Sequence, residues 1–365
     1  MRIKDIIHHL ESMAPPMLQE SYDNAGLITG KPGWTCSGVL VTLDTLPQTI
    51  DEAVQRGCNM VVSHHPIVFK GLKKITGAGY VEETIIRAIK QDVAIYAIHT
   101  NLDLVHRGVN ARIAEKIGLQ DTRILSPKPG QLLKLTVFVT TEHREALLQA
   151  LFNAGAGNIG HYAECSFTLE GTGTFKAGAD AQPFIGNKHE RFAGTESRVE
   201  VILPIWKKKE VLHAMRTNHP YEEVAYYLHE LANTHQEVGS GMIGMLPQPE
   251  QTIDFLQRLK SVFGTPVVKH TPAVQNQVRK IAVCGGAGQF LLNDAIASGA
   301  DVYITSDIKY HEFFDAVGRL LLADIGHYES EQFTIDLLTE QISIKFPNFA
   351  VLKTGLNTNP VCYTT

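Results

Sequence analysis

The chain has 365 residues, a hydrophobic share of 44% and a formal net charge of -5 at neutral pH. That length exceeds what one hydrophobic core usually organises, so two or three domains are expected. The modest negative charge argues against bulk electrostatic binding to nucleic acid or an anionic lipid surface, and no run of about 18 apolar residues suggests a membrane span.

Residues 1–15 read as a short amphipathic helix with Ile3, Ile6, Ile7 and Leu10 on one face, and not as a signal peptide. The cysteines, Cys36, Cys58, Cys165, Cys284 and Cys362, are odd in number and form no CxxC pair. A reducing, cytoplasmic setting fits them better than a disulfide framework or a cysteine zinc knuckle. Apolar strands follow at 38–44, 59–63 and 92–98, with helices at 47–55, 81–91 and 108–118. Continuous apolar strands separated by helices of about ten residues predict a parallel sheet covered on both faces.

A linker-like break at 126–130 and another at 246–251 enclose a different pattern. Strands at 134–140, 165–171, 198–204 and 226–231, with helices near 143–153 and 207–218, give the β-α-β-β-α-β order of a ferredoxin-like unit. Such an insert is tolerated at an exposed loop when its termini lie close together. Strands at 280–286, 301–306 and 320–325 resume the first pattern, followed by a helix from about 328 to 342 and a strand at 349–353. The segment 53–63 also aligns without gaps to 295–305. That match fits equally a generic helix–Gly–strand unit and two related lobes. The expected fold class is therefore α/β: two related lobes with mostly parallel sheets, at 1–125 and 247–365, and an inserted ferredoxin-like α+β domain at 126–246.

Three polar clusters follow apolar strands, where open α/β sheets bind ligands. The first is Ser63-His64-His65-Pro66. Neighbouring side chains in an extended segment point apart, so adjacent histidines tend to serve different ions, although an isolated pair is more often a packed and a solvated loop histidine. The second runs from His99 to Asp103; an Asn/Asp turn competes there, and His99 is expected to hold a ligand in place or to pack at a strand end. The third runs from Gly326 to Glu331 and opens a helix, so that His327 and Glu331, at i and i+4, share one face; acidic residues also favour a first helical turn for dipole reasons. Together they form a His/His/Asp/His/Glu set. Such ligands suit Zn²⁺, Fe²⁺ or Mn²⁺, and a paired site of this kind activates water for hydrolysis.

The motifs SHHP, HTNLD and GHYESE, with YDNAGL near the start and TSDIKYHE at 305–312, resemble the NGG-interacting-factor-three-like family, whose members often bear the name GTP cyclohydrolase I type 2 homolog. The resemblance covers roughly 1–125 and 247–365, and the insert is similar to the PII and CutA trimeric proteins. It implies two divalent metal ions per subunit, zinc before iron or manganese, on His64, His65, Asp103, His327 and Glu331. It also implies a toroidal homohexamer with active sites facing an inner cavity.

Around these ligands, Asp307, His311 and His99 are expected to move protons or orient ligands. Asp23 or Asn24 lines the site or makes a turn, and Asp44 is similar. Gly285–Gly288 either makes a tight turn or cradles phosphate, the turn being the default. In the insert, His161-Tyr162 and His219–Glu223 are expected at a rim or subunit contact before a ligand site. Two functions follow: a metal-dependent hydrolase acting on a nucleotide or related heterocycle, or a non-catalytic metal-binding regulator or chaperone, with ligand sensing by the insert as a variant of the second.

Overall fold

A computed structural model describes residues 1–364, and they divide into two compact units, 1–126 with 237–364 and 127–236. The strands, in chain order, are β1 (Gly26–Thr29), β2 (Val39–Thr42), β3 (Met60–Ser63), β4 (Ala94–Ala97), β5 (Gln120–Pro127), β6 (Leu132–Thr140), β7 (Ser166–Lys176), β8 (Arg191–Pro204), β9 (Tyr226–Glu230), β10 (Gly239–Gln251), β11 (Lys269–His270), β12 (Gln277–Ala287), β13 (Val302–Ser306), β14 (Leu321–Asp324) and β15 (Val351–Lys353). Among the described residues, no helix is long and apolar enough to cross a membrane.

The larger unit holds a five-stranded sheet, β1-β4-β3-β2-β15, and a six-stranded sheet, β11-β14-β13-β12-β10-β5. The pairs β15–β2, β2–β3 and β3–β4 are parallel, as are β12–β13 and β13–β14. Period-two alternation explains why their strands are apolar throughout. Val39, Val41, Met60, Val62 and Tyr96 enter one core shared with Ile281, Val283, Val302 and Ile304 of the other sheet. Leu40, Val61 and Ile95, on the opposite face, pack with Ile50, Ala53, Ile85 and Ala88 from the helices Pro47–Gln55 and Tyr80–Lys90. The predicted N-terminal helix is Ile3–Met13, and it buries Ile3, Ile6, Ile7 and Leu10 in the shared core.

The expected separation of two lobes by chain position gives way to interlocking. The C-terminal β15 completes the first sheet, pairing Val351 with Val39, while β5 from the N-terminal half joins the second. The break expected at 246–251 is likewise strand: β10 runs through Pro247 and Pro249 to Gln251. Proline cannot donate to a ladder, and the pairing with β12 accordingly slips between Met245 and Glu250 instead of ending.

The internal match between 53–63 and 295–305 extends to the backbone. Gly57 and Gly299 take φ of 73° and 71°. Cys58 N donates to Ala53 O at 2.8 Å, and Ala300 N donates to Ala295 O at 3.2 Å, the same helix-ending bond at aligned positions. Both segments then enter the middle strand of a parallel trio, β3 and β13.

The smaller unit has the predicted β-α-β-β-α-β order, with helices Arg144–Asn153 and Lys208–Asn218. Its sheet order, β7-β8-β6-β9 with antiparallel neighbours, is that of the split βαβ topology. Leu135, Val137, Val199 and Val201 meet Leu147, Leu151, Val211 and Met215 in its core.

Candidate metal centre

Each predicted ligand stands just beyond a strand or on the short helix that follows one. His64 and His65 follow β3, Asp103 ends the helix Thr100–Asp103 after β4, and His327 opens the helix His327–Glu331 after β14. That helix stops at Glu331, and a second one, Thr334–Lys345, replaces the single helix expected to 342.

The three sequence clusters converge on Glu331. Its Oε2 is 2.9 Å from His65 Nε2 and 3.0 Å from His327 Nε2, and its Oε1 lies 3.8 Å from His64 Nε2. His64 Nε2 is in turn 3.5 Å from Asp103 Oδ1. Two groups with metal-ligating geometry thus share one carboxylate: His65, His327 and Glu331, and His64, Asp103 and Glu331. His64, His65 and His99 form a third group whose donor atoms also lie within 4.8 Å of one another.

The other ring nitrogen of each ligand histidine is held. His64 Nδ1 donates to Ile98 O at 2.9 Å, His65 Nδ1 to Asp44 at 2.7 Å and His327 Nδ1 to Asp307 at 2.6 Å. Such partners fix the tautomer that leaves Nε2 as the free donor atom. Asp44 is braced by Thr358, whose hydroxyl donates at 2.8 Å. Asp307 takes a left-handed φ of 59°, which costs a residue with a side chain about 1 kcal/mol and fits a position held for its contact. Asp307→Asn is expected to leave the metal count unchanged while weakening metal affinity about ten- to a hundredfold, measured by competition with a chelator of known affinity.

His64 Nε2 and Asp103 Oδ1 are buried and have no hydrogen-bond partner. Orphaned buried polar atoms each cost about 1–3 kcal/mol, so a native protein seldom keeps two side by side without an occupant between them. The residues present fit a divalent cation in that place, since each offers a nitrogen or carboxylate donor within reach of the others. The electrostatics agree. Burial opposes charge on Glu331, but His327, His64 and His65 outweigh it and hold its carboxyl well below the usual range. Burial and the neighbouring Glu331 push Asp103 up to about 7. Burial likewise opposes charge on His65 and His327, but the carboxylates of Asp44, Asp307 and Glu331 prevail and raise them to about 9 and about 11.

The surrounding candidates divide. His99 faces the centre, its ring 5.2 Å from that of His64 and 5.4 Å from that of His65, and its Nδ1 donates to Asp23 at 2.9 Å. Asp23 also accepts from Thr100, and these bonds overcome burial to lower its carboxyl to about 2. Asn24 instead ties down a loop through Val68 O. The structure does not bring His311 to the centre: it is exposed on the 3-10 segment Tyr310–Asp315, between Tyr310 and Phe314. Its place in the TSDIKYHE motif reflects proximity in sequence to Asp307, and the turn after β13 carries the two apart. In the insert, His219 is buried, donating through Nε2 to Phe138 O and accepting from Tyr221 N, so it fastens a loop. Tyr162 is 76% exposed.

Other residues of the centre carry no sequence signal. Asn110 Nδ2 donates to Asp103 O, and Ser330 Oγ accepts from Gly286 N. Gly285–Gly288 lets β12 approach the ligands: a Cβ on Gly286 would lie 2.4 Å from Glu331 Oε1, at a φ of 62°. Gly286→Ala is expected to displace Glu331, lowering bound metal and costing about 1–3 kcal/mol in chemical denaturation.

Among the described residues, two of the cavities that border the centre are lined by both His65 and His327. One, of about 700 Å³, is reached past His65, His99, Asp103, His327 and Glu331. The other, of about 590 Å³, meets His65 and His327 from the side of Asp44, Asp307 and Glu329.

Residues 1–360 match the family Duf34/NIF3 (NGG1p interacting factor 3). The chain belongs to this family. Relatives within it include proteins named GTP cyclohydrolase 1 type 2 homolog from Halalkalibacterium halodurans and from Bacillus subtilis. The first is 38% identical over 88% of this chain and 87% of its own length; the second is 38% identical over 89% and 88%. A Bacillus cereus protein related to NIF3 superposes with a TM-score of 0.87 at 36% identity, covering 100% of this chain and 99% of its own. A Staphylococcus aureus protein does so with a TM-score of 0.79 at 28% identity and the same coverage. The family fold therefore spans the insert as well as the unit that holds the centre.

Proposed function

We propose that this protein is a metal-dependent hydrolase with two divalent ions per subunit, zinc first among them, acting on a nucleotide or related heterocycle. The observation that carries the reading is the shared Glu331 carboxylate flanked by two ligand groups, with His64 Nε2 and Asp103 Oδ1 buried and unpaired beside it. A pair of divalent ions there would supply an activated water and Lewis acidity toward a polarised ring carbon, carbonyl or phosphoryl group.

The chain's own residues supply the rest. Asp44 and Asp307 keep His65 and His327 in the tautomer that presents Nε2, and Glu331 is held anionic by the histidines around it. His99, fastened by Asp23 and bordering the larger cavity, is placed to take up or return a proton at Nε2. The relatives' shared name concerns GTP cyclohydrolase, and ring-opening hydrolysis is one instance of this chemistry.

The test is turnover by protein loaded with defined metals, against a panel of nucleotides and heterocycles. Loss of activity in His65→Ala and in Glu331→Gln is expected; wild-type turnover in both would assign the activity elsewhere. The reading extends to a toroidal homohexamer and to a PII/CutA-like insert, and light scattering would then give six times the subunit mass.

A non-catalytic metal-binding role is the second reading, favoured by the acidic wall of the smaller cavity, where Asp44, Asp307, Asp324 and Glu329 offer a cation a route to His65 and His327. It predicts rapid exchange of bound metal and no turnover on the panel.

A further inference from the structure

The larger cavity has a wall of a particular chemistry. Its ionisable groups are the carboxylates Glu20, Asp103 and Glu331, the imidazoles His65, His99 and His327, the Cys284 thiol and the Tyr22 phenol; among the described residues no lysine or arginine lines it. Lys269 borders the other cavity, and its ammonium is 2.6 Å from the buried carboxylate of Asp324. A triphosphate chain is a polyanion, and sites that hold one add lysine, arginine or a nest of open backbone N–H groups to any metal.

The glycine-rich segment that borders the cavity is already engaged. At the glycine-rich end of β12, Gly285 N donates to Asn110 Oδ1 at 3.0 Å, Gly286 N to Ser330 Oγ at 3.0 Å and Gly288 N, just beyond the strand, to Thr305 Oγ1 at 2.9 Å. This segment packs against the centre with those three N–H groups already bonded.

The same wall carries aromatic faces. Tyr22, Phe69 and Phe290 line it while 65%, 46% and 64% exposed, an unusual state for large rings beside a polar cleft. The rings of Tyr22 and Phe69 are 6.3 Å apart, and those of Phe69 and His99 6.1 Å, so aromatic surface leads from solvent to the centre. Exposed rings beside a polar centre are stacking platforms for flat π-systems.

We propose that the cavity takes a neutral nitrogen heterocycle, as free base or nucleoside, stacked on Tyr22 and Phe69, and that it discriminates against nucleoside triphosphates. This rests on reading the centre as a metal-dependent hydrolase site and narrows its substrate. A polyphosphate would have the metal ions alone to hold it, because among the described residues the wall adds no lysine or arginine, and the glycine N–H groups beside it are already bonded. A neutral ring gains the stacking contact and brings a ring carbon toward His99 and the ligand cluster without needing lysine or arginine to hold it.

The experiment is calorimetric titration of zinc-loaded protein with adenosine, guanosine, cytidine, uridine and GTP, with zinc content measured on every sample. At least one nucleoside is expected to bind ten times more tightly than GTP. Tyr22→Ala and Phe69→Ala, with zinc content unchanged, are expected to weaken that nucleoside about ten- to a hundredfold. Tighter binding of GTP than of every nucleoside, undiminished nucleoside binding in both variants, or no nucleoside binding to fully loaded protein would each overturn the proposal while leaving the metal centre standing. Wild-type protein that holds no zinc would overturn the underlying reading instead.

Discussion

Glu331→Gln is expected to reduce bound metal from about two equivalents per subunit to near zero, whereas His64→Ala and His327→Ala each leave about one. The asymmetry follows from geometry: the Glu331 oxygens face both ligand groups, while His64 stands in one and His327 in the other. Glutamine keeps the volume of the buried side chain but not its charge, so the variant tests ligation and not packing. An ion held at a thousand times its dissociation constant stabilises the folded state by about 4 kcal/mol. For a unit of this size that is roughly 10 °C in Tm. Chelation should lower the melting temperature of wild type by about that much and leave Glu331→Gln unmoved. Equal metal content in Glu331→Gln and wild type, by elemental analysis after dialysis, would remove Glu331 from the centre.

The second large effect is on pH. In the empty centre, His65 is raised to about 9 and His327 to about 11 by the carboxylates of Asp44, Asp307 and Glu331. Both carry protons at neutral pH and must release them to a metal, because imidazolium is not a ligand. Asp103, raised to about 7, adds a third proton below that pH. The sign is fixed: protons compete for the donor atoms below each raised pKa, so affinity rises with pH. Between pH 7 and 9 it should change about a hundredfold per pH unit, since each released proton contributes about 1.4 kcal/mol per unit. Titration of metal into empty protein in buffers of different ionisation enthalpy counts those protons directly. A count near zero at pH 7 would mean that the histidines are neutral before metal arrives. The same carboxylates bear on the empty protein's stability. A histidine with a raised folded-state pKa contributes stability that is complete below its unfolded pKa and fades as pH climbs through the folded one. The metal-free form should therefore weaken from neutral pH toward pH 9 and above, and the loaded form should not.

Much of this was open to reading from the residues. Each strand of the parallel trios is a short apolar run bounded by Gly, Asp or Ser, and the need to bury both faces of such strands leaves few alternatives to an α/β sheet. The convergence of the five candidate ligands was legible because each follows an apolar strand, and the i, i+4 spacing of His327 and Glu331 needs only helical geometry. His311 stands apart from the cluster because sequence nearness to Asp307 says nothing about the turn between them. The partners of the second rank had no signal. Thr358 on Asp44, Asn110 on Asp103 and Asp23 on His99 are ordinary loop residues until the chain brings them within hydrogen-bond distance.

The residues by themselves determined where ligands would be offered, because periodicity sets which segments are strands and strand ends set where polar side chains gather. They also determined the order of elements in the insert, since two amphipathic helices between four strands admit few packings. What only the tertiary structure decided is how distant donors are shared. That Glu331 stands between two histidine groups depends on strands from both halves of the chain meeting across one core, a long-range packing outcome that no local pattern encodes. The same holds for the cavity wall. Its carboxylates and aromatic rings come from segments as far apart as Glu20 and Glu331, and only folding sets them beside one another, with no lysine or arginine among the described residues that line it.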